Sequence, residues 1–330
     1  MVRLMAPKLG EKWNDPACGT FGFMIALDHY LKERYDYVYA TDAKTRQFQE
    51  NEALSGVELV QDAHRLALMN AKLHGLDSNI YLNDTLTEFG KTLKGYDGVL
   101  ANPPFGTKKG GEKPSRDDLT YVSSNKQLNF LQHIYRSLKK DGKARAAVVL
   151  PDNVLFEDGD GQKIRRDLMD KCNLHTILRL PTGIFYAAGV KTNVLFFTRG
   201  TSETGNTKNV WFYDMRTNGP SYGKRTPFTE KAFDDFMKAY TGGLNADEVL
   251  NGYNGDIDDA KRAAVKDERW SCISREDIAK KNDSLDLGLI ADESITASED
   301  LGEPLDIAKA ALLELEAITK ELNAIIGELK

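Results

Sequence analysis

The feature that most constrains this chain is a pattern repeated along its first two-thirds. A short apolar run of strand length ends at a polar or small residue, and a segment with helical periodicity follows. Parallel strands cannot be joined by tight hairpins and need a crossover, usually a helix, so the alternation predicts an open, mostly parallel α/β sheet. Strands are expected at Lys12–Asp15, in the LSGVEL run ending at Glu58, and at Asn79–Leu82, Gly98–Ala101, Ala144–Leu150, His175–Leu180 and Thr192–Thr198. Helices are expected from about Phe21 to Glu33, over Asp62–His74 with His74-Gly75 as the stop, and near Gln127–Lys139, ended by Asp141-Gly142. Asp36–Ala53 reads as an insertion between the first helix and the second strand.

From about residue 231 to 300 the pattern weakens into charged and glycine-containing segments, expected to be a connecting or partner-facing region. Leu305, Ala308, Leu312, Leu315, Thr319, Leu322, Ile326 and Leu329 then alternate at spacings of three and four, a heptad seam broken only by Thr319. Such a helix packs either on its own domain or on a helix of another chain, and the second is favoured. The expected division is 1–230, 231–300 and 301–330.

With 330 residues, 41% hydrophobic and 28% charged, the chain has ordinary globular composition. No apolar stretch is long enough to span a bilayer, and MVRLMAPKLGEK lacks the apolar core of a secretory signal. Cys18, Cys172 and Cys272 are odd in number and far apart, which fits a reducing cytosol. The five histidines are scattered without a metal-ligand spacing, so no metal site is expected. Net charge is −6, and a protein that gripped nucleic acid unaided over a long footprint would more often be basic. If DNA is the substrate, a partner must supply much of the grip.

Candidate chemistry gathers where the strands end. The first strand delivers Asp15-Pro16-Ala17-Cys18-Gly19-Thr20-Phe21-Gly22-Phe23, a small-residue turn that lets backbone N–H groups and a helix N-terminus approach a ligand. It lacks the third glycine of a dinucleotide fingerprint and the Gly-Lys-Ser/Thr of a phosphate loop, and it holds no Lys or Arg. The Asp15 carboxylate suits a ligand bearing an ammonium group; glycines kept only for packing are the alternative. An acid ending the second strand typically accepts from ribose hydroxyls. Asp42 has the usual spacing, but Glu58 stands between a strand and a well-formed helix and is preferred. Asp84 ends the third strand, where it could accept from an exocyclic amine of adenine or form an Asx turn or helix cap. At the end of the fourth strand stands Asn102-Pro103-Pro104-Phe105. Two prolines force a stiff, extended exit from the sheet. In isolation, a strand-ending loop with Phe105 tucked into the core fits equally well.

DPACGTFGF followed by NPPFG resembles the S-adenosylmethionine-dependent DNA amino-methyltransferases. GVELVQDAHRLALMN, SNKQLNFLQHI, AAVVLPDNVLFE, IRRDLMDKCNLHTILRLPTGIFYAAGVKTNVLFF and GKRTPF look like the modification subunit of type I restriction–modification systems. The likeness covers about residues 3 to 230 and continues more loosely to the terminal helix. It implies a Rossmann-like, seven-stranded methyltransferase sheet with a C-terminal helical extension for subunit assembly. It also implies methylation of adenine N6 in duplex DNA, with S-adenosylmethionine as cofactor and DNA, a specificity subunit and a restriction subunit as partners. By the same resemblance Asp15 to Phe23 form the cofactor turn, with Thr20, Phe21 and Gly22 nearest the ligand. Glu58 is the ribose acid, Asp84 the adenine-contacting acid, and Asn102 to Phe105 the catalytic tetrapeptide. Phe105 and Phe185 would stack on the two faces of an extruded base; for Phe185 a core aromatic is an equal alternative. Many relatives carry Gly or Ala at the position of Phe21, whose ring either narrows the cofactor pocket or packs away from it. Lys108, Lys109, Lys113 and Arg116 could touch phosphates or form an ordinary solvated loop. The family also carries an N-terminal helical domain and a cofactor-binding segment ahead of Val2-Arg3-Leu4-Met5, so a shortened chain is expected. Rival readings are methylation of cytosine N4 or of a glutamine amide, and a catalytically incompetent scaffold that holds the specificity subunit.

Overall fold

A computed structural model describes residues 1–37, 41–105, 114–181, 184, 191–217, 222 and 227–286, and the statements below concern these. Residues 1–290 form one compact unit and 291–330 a second; the heptad positions 305 to 329 lie outside the described residues.

The strands are β1 (Trp13–Asp15), β2 (Leu54–Glu58), β3 (Asn79–Leu82), β4 (Gly98–Ala101), β5 (Arg145–Pro151), β6 (Cys172–Arg179), β7 (Thr192–Arg199), β8 (Asn209–Asp214) and β9 (Trp270–Ser274). They form a single sheet in the order β3-β2-β1-β4-β5-β7-β6-β8-β9. The first five pair in parallel, β7 runs antiparallel to both β5 and β6, β8 is parallel to β6, and β9 closes the edge antiparallel to β8. The expected count of seven is therefore corrected to nine. The seven expected strands fill seven consecutive places, and β8 and β9 extend the β6 edge. The extension is bound by its aromatics: Trp211 and Trp270 stack at 4.9 Å, and the buried Arg262 guanidinium lies over both rings.

The helices are α1 (Val2–Met5), α2 (Gly22–Tyr35), α3 (Ala43–Asn51), α4 (Gln61–Leu73), α5 (Lys126–Ser137), α6 (Asn153–Phe156), α7 (Asp160–Lys171), α8 (Asp234–Thr241), α9 (Ala246–Gly252), α10 (Asp259–Ala264) and α11 (Arg275–Lys280). The stretch read as an insertion contains α3, and Asp42 is its N-cap, accepting from the amides of Lys44 and Thr45 at 3.0 Å. Asp42 is thus spent on a cap and ends no strand.

Both faces of the sheet are covered. In β5, Ala147 and Val149 join one core with Met24, Leu27 and Leu31 of α2 and Phe236 and Tyr240 of α8. Ala146, Val148 and Leu150 join the other with Leu128, Leu131 and Ile134 of α5 and Ile164 and Leu168 of α7. A strand buried on both sides has no polar face, which is why this one reads as an unbroken apolar run. Residues 231–286, read as a connecting or partner-facing region, belong to the same unit: they supply β9, and Phe236, Tyr240, Trp270 and Ile278 are buried in its cores.

Strand order reverses at β1, whose neighbours are β2 on one side and β4 on the other. At such a switch point the loops leaving adjacent strands diverge, and the crevice between them is where open α/β sheets take ligands. Glycines permit the close approach there. A Cβ at Gly98 would overlap the Trp13 ring, and one at Gly56 would come within 2.9–3.0 Å of Cys18 and Phe21.

Candidate active site

The turn after β1 is held to β2 by two backbone donors. The Cys18 amide donates to the Val57 carbonyl and the Gly19 amide to Glu58 Oε2, both at 2.9 Å. Gly19 has φ +53°, and a Cβ there would meet no atom within 4 Å, so the turn is open above it. Thr20 is exposed, and its carbonyl accepts from Asn70 Nδ2 on α4 at 2.9 Å. Phe21 is left-handed at φ +69° and fully buried. Its ring packs against Gly56 of β2, inside the core. Gly22 opens α2, and half-buried Phe23 leans on the core.

Asp15 ends β1 at 2% exposure, with Oδ1 accepting from the Ala17 amide at 3.1 Å. Loss of hydration pushes its carboxyl up to about 7, opposed by the Ala17 amide and reinforced by the nearby Glu58 charge. Burial likewise pushes the Cys18 thiol well above its usual range, which disfavours the thiolate.

Glu58 is the last residue of β2, and its second oxygen, Oε1, accepts from the Val60 amide at 2.8 Å. Both carboxylate oxygens are thereby oriented at the edge. Leu59 and Val60 follow it 64% and 57% exposed, an apolar shelf that sequence reasoning did not single out, although an apolar pair between a strand-ending acid and a helix is a legible signal. Asp84, half-buried beyond β3, makes an Asx turn through Oδ1 to the Leu86 amide at 2.8 Å. The next residue ties this loop to the turn after β1: Thr85 Oγ1 donates to the Pro16 carbonyl at 2.7 Å.

Arg116 is a correction to the group of phosphate-facing cations. It is buried, gripping Asp118 with two hydrogen bonds of 2.7 Å and donating to the Thr85 carbonyl at 3.0 Å. Its Nη1 also lies 3.0 Å from His133 Nδ1 of α5, and burial beside this cation pushes the imidazole down to about 3. Arg116 braces the Asp84 loop; Lys108, Lys109, Lys113 and Phe185 lie outside the described residues.

Beyond β4, Asn102 and Pro104 are exposed, Pro103 is buried, and Phe105 is half-buried against the α2-side core. Asn102 lines a largely apolar cleft of about 680 Å³, together with Phe23 at the start of α2, Val2, Leu180, Phe196 and Phe228. Asn102 of the tetrapeptide and Phe23 at the start of α2 thus open on one space. The Pro104 carbonyl is engaged from behind by buried Gln127 of α5, Nε2 to O 2.8 Å, another residue the sequence reading passed over. Among the described residues no group of three or more His, Cys, Asp or Glu is arranged to hold a metal ion.

A doubly covered sheet with its switch point at β1, an antiparallel β7 inserted beside β5, and turn, acids and Asn-Pro-Pro-Phe on one edge together define a Rossmann-like methyltransferase fold. The family model for N-6 DNA Methylase matches residues 1–294, and the chain belongs to that family. It is 44% identical to the type I restriction enzyme EcoKI methylase subunit of Escherichia coli K12 and to the StySJI methylase subunit of Salmonella typhimurium. Each alignment covers all of this chain and 66% of the relative, so the chain spans just under two-thirds of their length. The crystal structure of the EcoKI M protein superposes with a TM-score of 0.78 at 42% identity, over the whole chain and 71% of that protein.

Proposed function

We propose that this chain transfers a methyl group from S-adenosylmethionine to N6 of adenine in duplex DNA. In this reading it is the cytoplasmic modification subunit of a type I restriction–modification complex, working with a specificity and a restriction subunit. One observation carries the reading: an exposed Asn102, delivered by β4 and followed by two prolines, leaves the same edge of the sheet as the turn after the adjacent parallel strand β1, at the switch point. The relatives' identity as methylase subunits supports it. Catalysis is assigned to 1–230 and assembly to 301–330, with the outer surface of 231–300 facing partners.

The edge residues fit the cofactor. Asp15 offers a buried carboxyl to an ammonium group, Glu58 an oriented carboxylate to ribose hydroxyls, Leu59 and Val60 an apolar shelf, and Asp84 a carboxylate to the adenine amine. Cys18, Gly19, Thr20, Phe21, Gly22 and Phe23 shape the turn, with Gly19 leaving it open. Bound there, S-adenosylmethionine supplies an electrophilic methyl on a sulfonium sulfur.

The protein's task is to make the target nitrogen nucleophilic. The exocyclic lone pair of adenine is delocalised into the ring. Accepting its two N–H groups at the Asn102 side-chain oxygen and the Pro103 carbonyl favours a more sp³-like nitrogen with an available lone pair. Stiff prolines hold this geometry, and positioning of this kind accounts for much of the gain in such reactions. The base must leave the stack, which costs a few kcal/mol, and Phe105, with Phe185 on the opposite face, returns about 1–3 kcal/mol per stacked ring.

The test is labelled methyl incorporation into DNA by the chain assembled with a cognate specificity subunit. Asn102→Ala is expected to abolish incorporation while calorimetric binding of S-adenosylmethionine survives; wild-type transfer by that variant refutes the assignment. Cofactor binding and assembly without incorporation by the wild-type complex would leave the scaffold reading.

A further inference from the structure

Prolines 103 and 104 carry no N–H, so the tetrapeptide cannot anchor itself through its own central amides. Its orientation has to be set through carbonyls, and the structure provides one such hold. Gln127, 2% exposed in the first turn of α5, donates from Nε2 to the Pro104 carbonyl at 2.8 Å. The residue is itself fixed. Asn125 caps α5, accepting from the Gln127 amide at 3.0 Å and the Leu128 amide at 3.4 Å, and its Nδ2 donates to Glu157 Oε2 at 2.7 Å. The Asn125 amide in turn donates to Ser123 Oγ at 3.0 Å. A buried carboxamide whose main chain is pinned at a helix N-terminus is a rigid donor.

We infer that Gln127 is a positioning residue for methyl transfer, fixing the Pro104–Phe105 peptide plane and through it the Pro103 carbonyl and the Phe105 ring. The inference rests on the function proposed above. The peptide unit is planar, so pinning its carbonyl oxygen also sets the direction in which the chain enters Phe105. Proline fixes φ on the other side, so little freedom remains between Gln127 and the two groups that meet the base. Gln127 touches neither base nor cofactor; it acts through the tetrapeptide. A misplacement of about 1 Å at such a site costs on the order of 10²-fold in rate.

The experiment uses the chain assembled with a cognate specificity subunit. Gln127→Met keeps length and volume and removes the donor. The expected result is a kcat lowered about 10- to 100-fold, with KM for S-adenosylmethionine, calorimetric affinity for S-adenosylhomocysteine and the unfolding midpoint unchanged. Gln127→Leu likewise removes the donor at similar volume, and has to show the same split if the methionine variant fails to fold. Wild-type kcat in either variant, or a loss confined to KM, overturns the inference. Asn102→Ala in the same assay separates the two levels. If it is inactive while Gln127→Met is wild-type, only the positioning role falls; if it methylates normally, the proposed function falls.

Discussion

The Asp15 carboxyl is raised to about 7, first by burial and then by Glu58, against the Ala17 amide. An unfolded aspartate titrates near 3.9, so between about pH 4 and 7 the folded chain binds the extra proton. The stability this group contributes is therefore fully present below about pH 4 and is lost as pH rises through about 7. Asp15→Asn removes the ionisation and keeps the oxygen that accepts from Ala17. Its denaturant midpoint should match the wild type near pH 3 and exceed it at pH 8, by at most about 4 kcal/mol in unfolding free energy. S-adenosylmethionine should bind the wild type roughly tenfold more weakly at pH 6 than at pH 8, a dependence the variant should lack. Parallel stability and affinity profiles in the two proteins would show that Asp15 does not titrate in this range.

Helix α5 holds two loops of the site at once, the tetrapeptide through Gln127 and the Asp84 loop through His133, Arg116 and the Thr85 carbonyl. That second contact is so close that a Cβ at Gly90 would overlap the Thr85 carbonyl oxygen and Arg116 Nη1. Gly90→Ala should therefore destabilise the fold by about 1–3 kcal/mol in chemical denaturation, and a neutral result would mean the loop yields freely. Sequence and structure agree best where an element ends on an unusual residue. Strands β1 to β4 were legible because the turn, Glu58, Asp84 and Asn102 terminate them. Elements without such marks were not. β9 buries only Trp270 and is an edge strand, so it shows no alternation. α3 buries only Gln49 and reads as polar chain. In β8, Val210 and Phe212 face one core while Trp211 and Tyr213 face the other, which erases the period-two signal. Arg116 looked like a phosphate contact because it follows a lysine-rich loop. Its partner Asp118, two residues on, was the sign that its charge is satisfied internally. Gln127 gave no sign, since an isolated glutamine in a helix is as common on surfaces as in cores.

At the scale of the molecule, a net charge of −6 sits poorly with unaided binding to a polyanion. The proposal assigns the groove contacts to a specificity subunit and the coupling to the segment after residue 300. Deleting residues 304–330 should impair co-purification with that subunit while leaving S-adenosylmethionine binding intact; unchanged co-purification would place the docking surface elsewhere. The central claim is that the Asn102 oxygen and the Pro103 carbonyl clasp an adenine amine. The most direct measurement is to digest DNA methylated by the assembled complex with labelled S-adenosylmethionine and identify the labelled nucleoside. The account predicts N6-methyladenine from the wild type and no labelled nucleoside from Asn102→Ala. Label in N4-methylcytosine, or N6-methyladenine formed at the wild-type rate by the variant, would contradict it.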